Sequence, residues 1–132
     1  MRGTTNHRLI FYKGKKKDHD LTAYCDSDWA GDLDDRKSTS GFVIKLNNGA
    51  ISWKSSKQTC IAQSTVEAEY ISAATTAKEI IWTRRFLTEL RYLSPSKSIH
   101  LYINNDRARE LALNETLKNQ RIKYIDIRYH FI

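Results

Sequence analysis

Three short segments carry side chains that could act together in metal-assisted chemistry. They are Tyr24-Cys25-Asp26-Ser27-Asp28-Trp29-Ala30-Gly31-Asp32, Ser64-Thr65-Val66-Glu67-Ala68-Glu69-Tyr70 and Leu101-Tyr102-Ile103-Asn104-Asn105. Within them, Asp26, Glu69 and Asn104 are the candidates. Hard divalent cations such as Mg2+ take oxygen ligands in near-octahedral geometry, usually a few carboxylates plus substrate phosphate. Two such ions about 4 Å apart generate an attacking hydroxide and stabilise the leaving oxygen of a phosphodiester. Asp26 and Glu69 supply part of that donor set. Asn104 stands where a further aspartate would be wanted. Spacing alone leaves the plainer reading open, in which acidic residues at strand ends are merely solvated.

The elements that must position these residues are legible from periodicity. Residues 8–12 read as a short apolar strand. Leu21, Ala23 and Cys25 alternate with Thr22, Tyr24 and Asp26, the period-2 pattern of a half-buried strand, so Asp26 lies near its end on the face away from Cys25. The polar stretch 32–40 reads as a loop. Residues 41–46 and 50–53 read as strands joined at Asn47-Asn48-Gly49, where Asn-Gly tolerates the positive φ of a type I′ turn.

A long helix follows. Ser64 or Thr65 can cap it, and Glu67 in the first turn complements the helix dipole. Val66, Tyr70, Ala73, Ala77, Ile80, Ile81, Leu87 and Leu90 form its apolar stripe, with an end near Tyr92 ahead of Ser94-Pro95-Ser96. Residues 99–103 make a strand with Ile99, Leu101 and Ile103 on one face. Residues 107–114 and 125–131 read as helices. This order predicts an α/β fold, a mixed sheet with helices packed on its faces.

Composition narrows the setting. A chain of 132 residues suits one domain, spanning 1–132, and no repeat or low-complexity stretch divides it. The apolar runs are too short to span a membrane, and residues 1–7 lack the apolar core of a signal peptide. Cys25 and Cys60, placed in strands and not spaced as metal ligands, point to a reduced, intracellular protein. The 22 Lys and Arg against 15 Asp and Glu give a net charge of +7, which favours a polyanionic partner. The basic residues cluster at Lys13 with Lys15, Lys16 and Lys17, at Arg84-Arg85, and at Lys118, Arg121, Lys123 and Arg128. That clustering favours nucleic acid. Ser38-Thr39-Ser40, beside Arg36 and Lys37, is read either as a phosphate-contacting loop or as a plain polar one. Trp29, Trp53 and Trp82 read as core in preference to base-stacking residues.

The wording of the motifs goes further than their spacing. Asp26-Ser27-Asp28-Trp29-Ala30-Gly31-Asp32, Arg36-Lys37-Ser38-Thr39-Ser40-Gly41-Phe42 and Ile51-Ser52-Trp53-Lys54-Ser55-Ser56-Lys57-Gln58 resemble the ribonuclease H domain of copia-type retrotransposon Pol polyproteins. So do Ser64-Thr65-Val66-Glu67-Ala68-Glu69-Tyr70 and Asp126-Ile127-Arg128-Tyr129-His130-Phe131. The resemblance covers nearly the whole chain from Arg2 onward. It implies a ribonuclease H-like fold and a two-metal endonuclease that hydrolyses RNA in RNA–DNA hybrids during reverse transcription. It also implies Mg2+ or Mn2+ as cofactor, and flanking reverse transcriptase and integrase in the parent polyprotein.

By motif position the resemblance makes Asp26 the metal-bridging carboxylate and Glu69 the second, with Glu67 left as a helix-start residue. The third aspartate belongs to an Asp-Asn pair that this chain writes Asn104-Asn105, and the usual His ahead of Ile-Asp is Tyr124. The fourth lies beyond His130-Phe131, so the expectation for a chain stopping at Ile132 is a domain lacking its closing strand and helix. Asn104 keeps an acceptor oxygen and loses a charge. One unit charge about 4 Å from a divalent ion is worth roughly 8 kcal/mol at an effective dielectric of about 20, before solvent compensates. Even a quarter of that weakens metal binding more than tenfold. Asp106 would lie about 6.6 Å further along the strand and is a poor substitute. The expectation is therefore impaired cleavage, with a catalytically silent nucleic-acid-binding or decayed domain as the alternative.

Overall fold

The computed structural model describes residues 3, 6–11 and 19–113. Within the described residues, four strands and two helices run in the order β1 (Leu21–Asp28), β2 (Thr39–Leu46), β3 (Gly49–Lys57), α1 (Thr65–Glu89), β4 (His100–Ile103) and α2 (Asp106–Leu113). The sheet order is β3-β2-β1-β4, with β1 antiparallel to β2 and parallel to β4. This mixed α/β layer is consistent with a ribonuclease H-like fold. The predicted helix over 125–131, the Asp126-to-Phe131 motif, Tyr124 and the basic residues from Lys118 onward lie outside the described residues, as do Lys13 and Lys15 to Lys17.

The alternation read in β1 sets the layering. Leu21, Ala23 and Cys25 are buried with Phe42 and Ile44 of β2, and α1 closes over them with Ala73, Ile80 and Leu87. Those three helix residues are seven apart, two turns each, so they stack on one face. A second cluster joins Ala68, Tyr70, Ile71 and Ala74 of α1 to Leu111 of α2 and to Ala62. The first half of α1 is thus sandwiched between the sheet and α2, and alanines on both faces permit that close approach. Beyond this stretch the buried set narrows to Thr76, Ile80, Thr83 and Leu87. Ile81 and Leu90, expected in the stripe, are exposed.

Local signals explain most element ends. Asn47 and Asn48 hold φ of 49° and 69°, so the two-residue hairpin turn falls on the asparagines and Gly49 opens β3. The Ser64 hydroxyl accepts from the Glu67 N–H at 3.2 Å, while the Glu67 carboxylate accepts from the Gln63 N–H at 2.7 Å. The first of these bonds satisfies a donor that the first helical turn leaves open. α1 ends at Glu89, before the expected Tyr92. Arg91 adopts φ of 60°, its N–H donates to the Thr88 carbonyl, and the Tyr92 N–H donates to that of Leu87. This is a Schellman ending with arginine where glycine is usual.

Three expectations are corrected. Residues 8–11 form no strand; Leu9, Ile10 and Phe11 are exposed, with no sheet edge pairing them. Cys60 lies in the loop between β3 and α1, and both cysteines are free thiols. The tryptophans are not core: Trp29, Trp53 and Trp82 are 44%, 64% and 63% exposed. Trp53 pairs with Val43 on the sheet face that α1 does not cover. Trp82 stacks on Phe86 at 5.5 Å on the outer side of the helix. No helix among the described residues is long and apolar enough to cross a membrane.

Candidate functional site

The three sequence-selected residues meet at one end of the sheet. The β1–β4 register runs from Thr22–His100 to Cys25–Ile103, so Asn104 follows the last pair and comes alongside Asp26. Its amide Nδ2 donates to Asp26 Oδ1 at 2.9 Å. Glu69, the fifth residue of α1, reaches the same strand from the helix side. Its Oε1 accepts from the Ser27 N–H at 3.2 Å.

The two carboxylates live in different surroundings. Asp26 is exposed and Glu69 is 5% exposed. Glu69 Oε2 is buried with no hydrogen-bond partner. Burial raises the Glu69 pKa, the nearby Asp26 charge pushes the same way, and the bond from Ser27 only partly opposes them. The neighbouring Cys25 thiol is pushed up to about 12, first by burial and then by Glu69. It remains a neutral core group and has no nucleophilic role.

Sequence reasoning missed the residues that brace this end. The Ser72 hydroxyl donates to the Asp26 carbonyl at 2.8 Å, tying α1 to β1 one turn beyond Glu69. Gln58 Nε2 donates to Ser40 Oγ at 2.8 Å and to the Ala68 carbonyl at 2.9 Å, and so fastens the start of α1 to β2. Ser38 is fully buried, and its Oγ accepts from the Ala30 N–H at 3.1 Å. A phosphate-contacting role for Ser38 is thereby overturned. The signal available was a hydroxyl or amide inside an otherwise apolar or motif-bearing stretch. Ser72 falls three residues after Glu69, and Gln58 closes a motif whose other residues drew attention.

Asp106 is no replacement for a third carboxylate. It opens α2, is exposed, and pairs with Arg109 at 3.2 Å. Among the described residues no three His, Cys, Asp or Glu side chains are grouped so as to hold a metal ion. Among the described residues, the donor set at the sheet end is two carboxylates and an amide. One carboxylate oxygen of Asp26 takes the amide donor, and burial raises the pKa of the Glu69 acid. As arranged, these residues do not fit a pair of divalent cations.

Fold and site together define a small α/β layer with an acidic pair where β1, β4 and the start of α1 converge. The chain is 45% identical over 132 residues to the retrovirus-related Pol polyprotein from transposon TNT 1-94 of Nicotiana tabacum. It is 42% and 41% identical over 130 residues to those from transposons RE1 and RE2 of Arabidopsis thaliana. Its homologues are thus retrovirus-related Pol polyproteins of transposons. All or nearly all of the chain is covered, yet it spans only 10%, 9% and 9% of those relatives' lengths. No protein-family model matches it, and no solved structure does.

Proposed function

We propose that this chain is the ribonuclease H-like portion of a copia-type retrotransposon Pol polyprotein, by descent an endonuclease acting on RNA in RNA–DNA hybrids during reverse transcription. In this reading its cleavage centre is impaired. The observation that carries the proposal is the convergence of Asp26, Glu69 and Asn104 at one sheet end, drawn from three segments far apart in sequence. Similarity over the whole of this chain to a transposon Pol polyprotein supports the lineage. The parent would work inside the cell beside reverse transcriptase and integrase.

The silent-binder reading is favoured by a neutral amide at position 104, hydrogen-bonded to Asp26, where a further carboxylate would help hold Mg2+ or Mn2+. The net charge of +7 still suits a polyanion. On the described surface, Arg84 and Arg85 stand exposed on α1. The test is incubation of the purified chain with a labelled RNA–DNA hybrid and Mg2+ or Mn2+, beside Asp26→Asn, with gel retardation in parallel. The expected result is retardation that weakens with salt and no nicking. Nicking that Asp26→Asn abolishes would show an active centre. Neither retardation nor nicking would remove nucleic acid as the partner.

A further inference from the structure

We infer that Asn104 acts on Asp26 as a competing hydrogen-bond donor, holding the carboxylate oxygen that a divalent cation would need. It is not a weak neutral ligand to that cation. The inference rests on the ribonuclease H-like reading of the site and reverses the part that a neutral residue at this position would otherwise play.

The geometry is specific. Asn104 Nδ2 lies 2.9 Å from Asp26 Oδ1. A carboxylate is acceptor-only when ionised, so it selects the NH2 end of an amide and repels the oxygen end. The backbone that carries Asn104 is fixed on both flanks. Ile103 is paired with Cys25 in the sheet. On the other flank, Asn105 caps α2, its Oδ1 accepting from the Ala108 N–H at 3.0 Å and its carbonyl from the Arg109 N–H at 3.0 Å. For Asn104 to ligate a cation through its oxygen, the amide would have to turn over and give up a charge-assisted bond.

The two roles predict opposite signs. If Asn104 were a weak ligand, removing its side chain would weaken metal binding. If it is a competitor, removing it frees Asp26 and tightens binding. The probe is Mn2+ itself, titrated into the 15N-labelled full chain while paramagnetic broadening of the Asp26 and Ser27 amide signals is followed. Asn104→Ala is expected to reach half-broadening at about tenfold lower Mn2+ than the wild type, because a hydrogen bond to a charged group is lost. Asn104→Asp, which adds a charge, should respond at lower Mn2+ still.

Broadening in Asn104→Ala at the same or higher Mn2+ than in the wild type overturns the inference. If Asn104→Ala lacks a dispersed spectrum, Asn104→Val, which has no side-chain donor, carries the same prediction and the same refutation. Adding Asp26→Asn to Asn104→Ala should abolish the gain. A gain that survives it would show that the metal site has been misplaced, which is a failure of the underlying reading and not of the competition.

Discussion

The two halves of α1 follow the same helical rules and have opposite surroundings. In the first half, Ala68, Glu69, Tyr70, Ile71, Ser72, Ala73 and Ala74 are all buried, with the sheet on one side and α2 on the other. In the second half only Ile80, Thr83 and Leu87 are buried, while Trp82 stacks on Phe86 in the open. The site residue sits in the enclosed half. Enclosure is what raises the Glu69 pKa and gives Ser72 a strand carbonyl to hold. A helix of uniform composition would have offered no such difference; here alanines mark where the chain is squeezed.

The largest expected effect tests that enclosure. Ile71→Ala should cost about 3 kcal/mol by opening a cavity between α1 and α2. Urea denaturation checks it. A loss below about 1 kcal/mol would mean that the first half of α1 is loosely packed.

Next is the pH dependence that Glu69 imposes. Its pKa is raised in the folded chain above the 4.5 of an ordinary glutamate, by burial first. The folded state therefore holds the proton more tightly than the unfolded state. The contribution to stability is fully present below pH 4.5 and is lost as pH rises through the folded value. Glu69→Gln should remove this fall while keeping an oxygen for the Ser27 N–H. Denaturation midpoints at several pH values from 4 upward check it. A wild-type and variant pair with parallel profiles would show that Glu69 is solvated, erasing the contrast between the halves.

Smaller effects come from the two ends of the helix. Ser64→Ala should cost about 1 kcal/mol through loss of the bond from the Glu67 N–H. Arg91→Gly should add roughly 0.5–1 kcal/mol, because arginine at φ of 60° carries a left-handed penalty that glycine avoids. Thermal melts of both variants read the two signs directly. Equal shifts in one direction would contradict the cap assignments.

What was legible in the sequence follows the same division. The alternation of Leu21, Ala23 and Cys25 foretold both β1 and the exposed side of Asp26, because one buried sheet face imposes period 2. Asn47-Asn48-Gly49 and Ser64 announced the hairpin and the cap through local chemistry. The meeting of Asp26, Glu69 and Asn104 was legible through motif wording. Their hydrogen bonding was not: whether Asn104 donates to Asp26 or turns its oxygen outward depends on a strand register linking positions 78 residues apart. Ser72 and Gln58 were missed for a related reason, since a hydroxyl or amide shows its partner only once strand and helix are docked. Trp53 was misplaced because alternation says which residues share a face and not which face is covered.

Trp82 is the sharpest case of that limit and carries the smallest predicted effect. Its size favours burial on general grounds, yet it is 63% exposed and touches the equally outward Phe86. Burial sets the energy, so a residue that keeps most of its surface in water before and after substitution changes stability little. Trp82→Ser should move stability by no more than about 0.5 kcal/mol, chiefly through loss of the Phe86 stacking contact. Ile71, smaller and only eleven positions earlier on the same helix, should cost several times more. A loss above about 1.5 kcal/mol for Trp82→Ser would mean the outer ridge is covered in solution, and would place both halves of α1 in a packed environment.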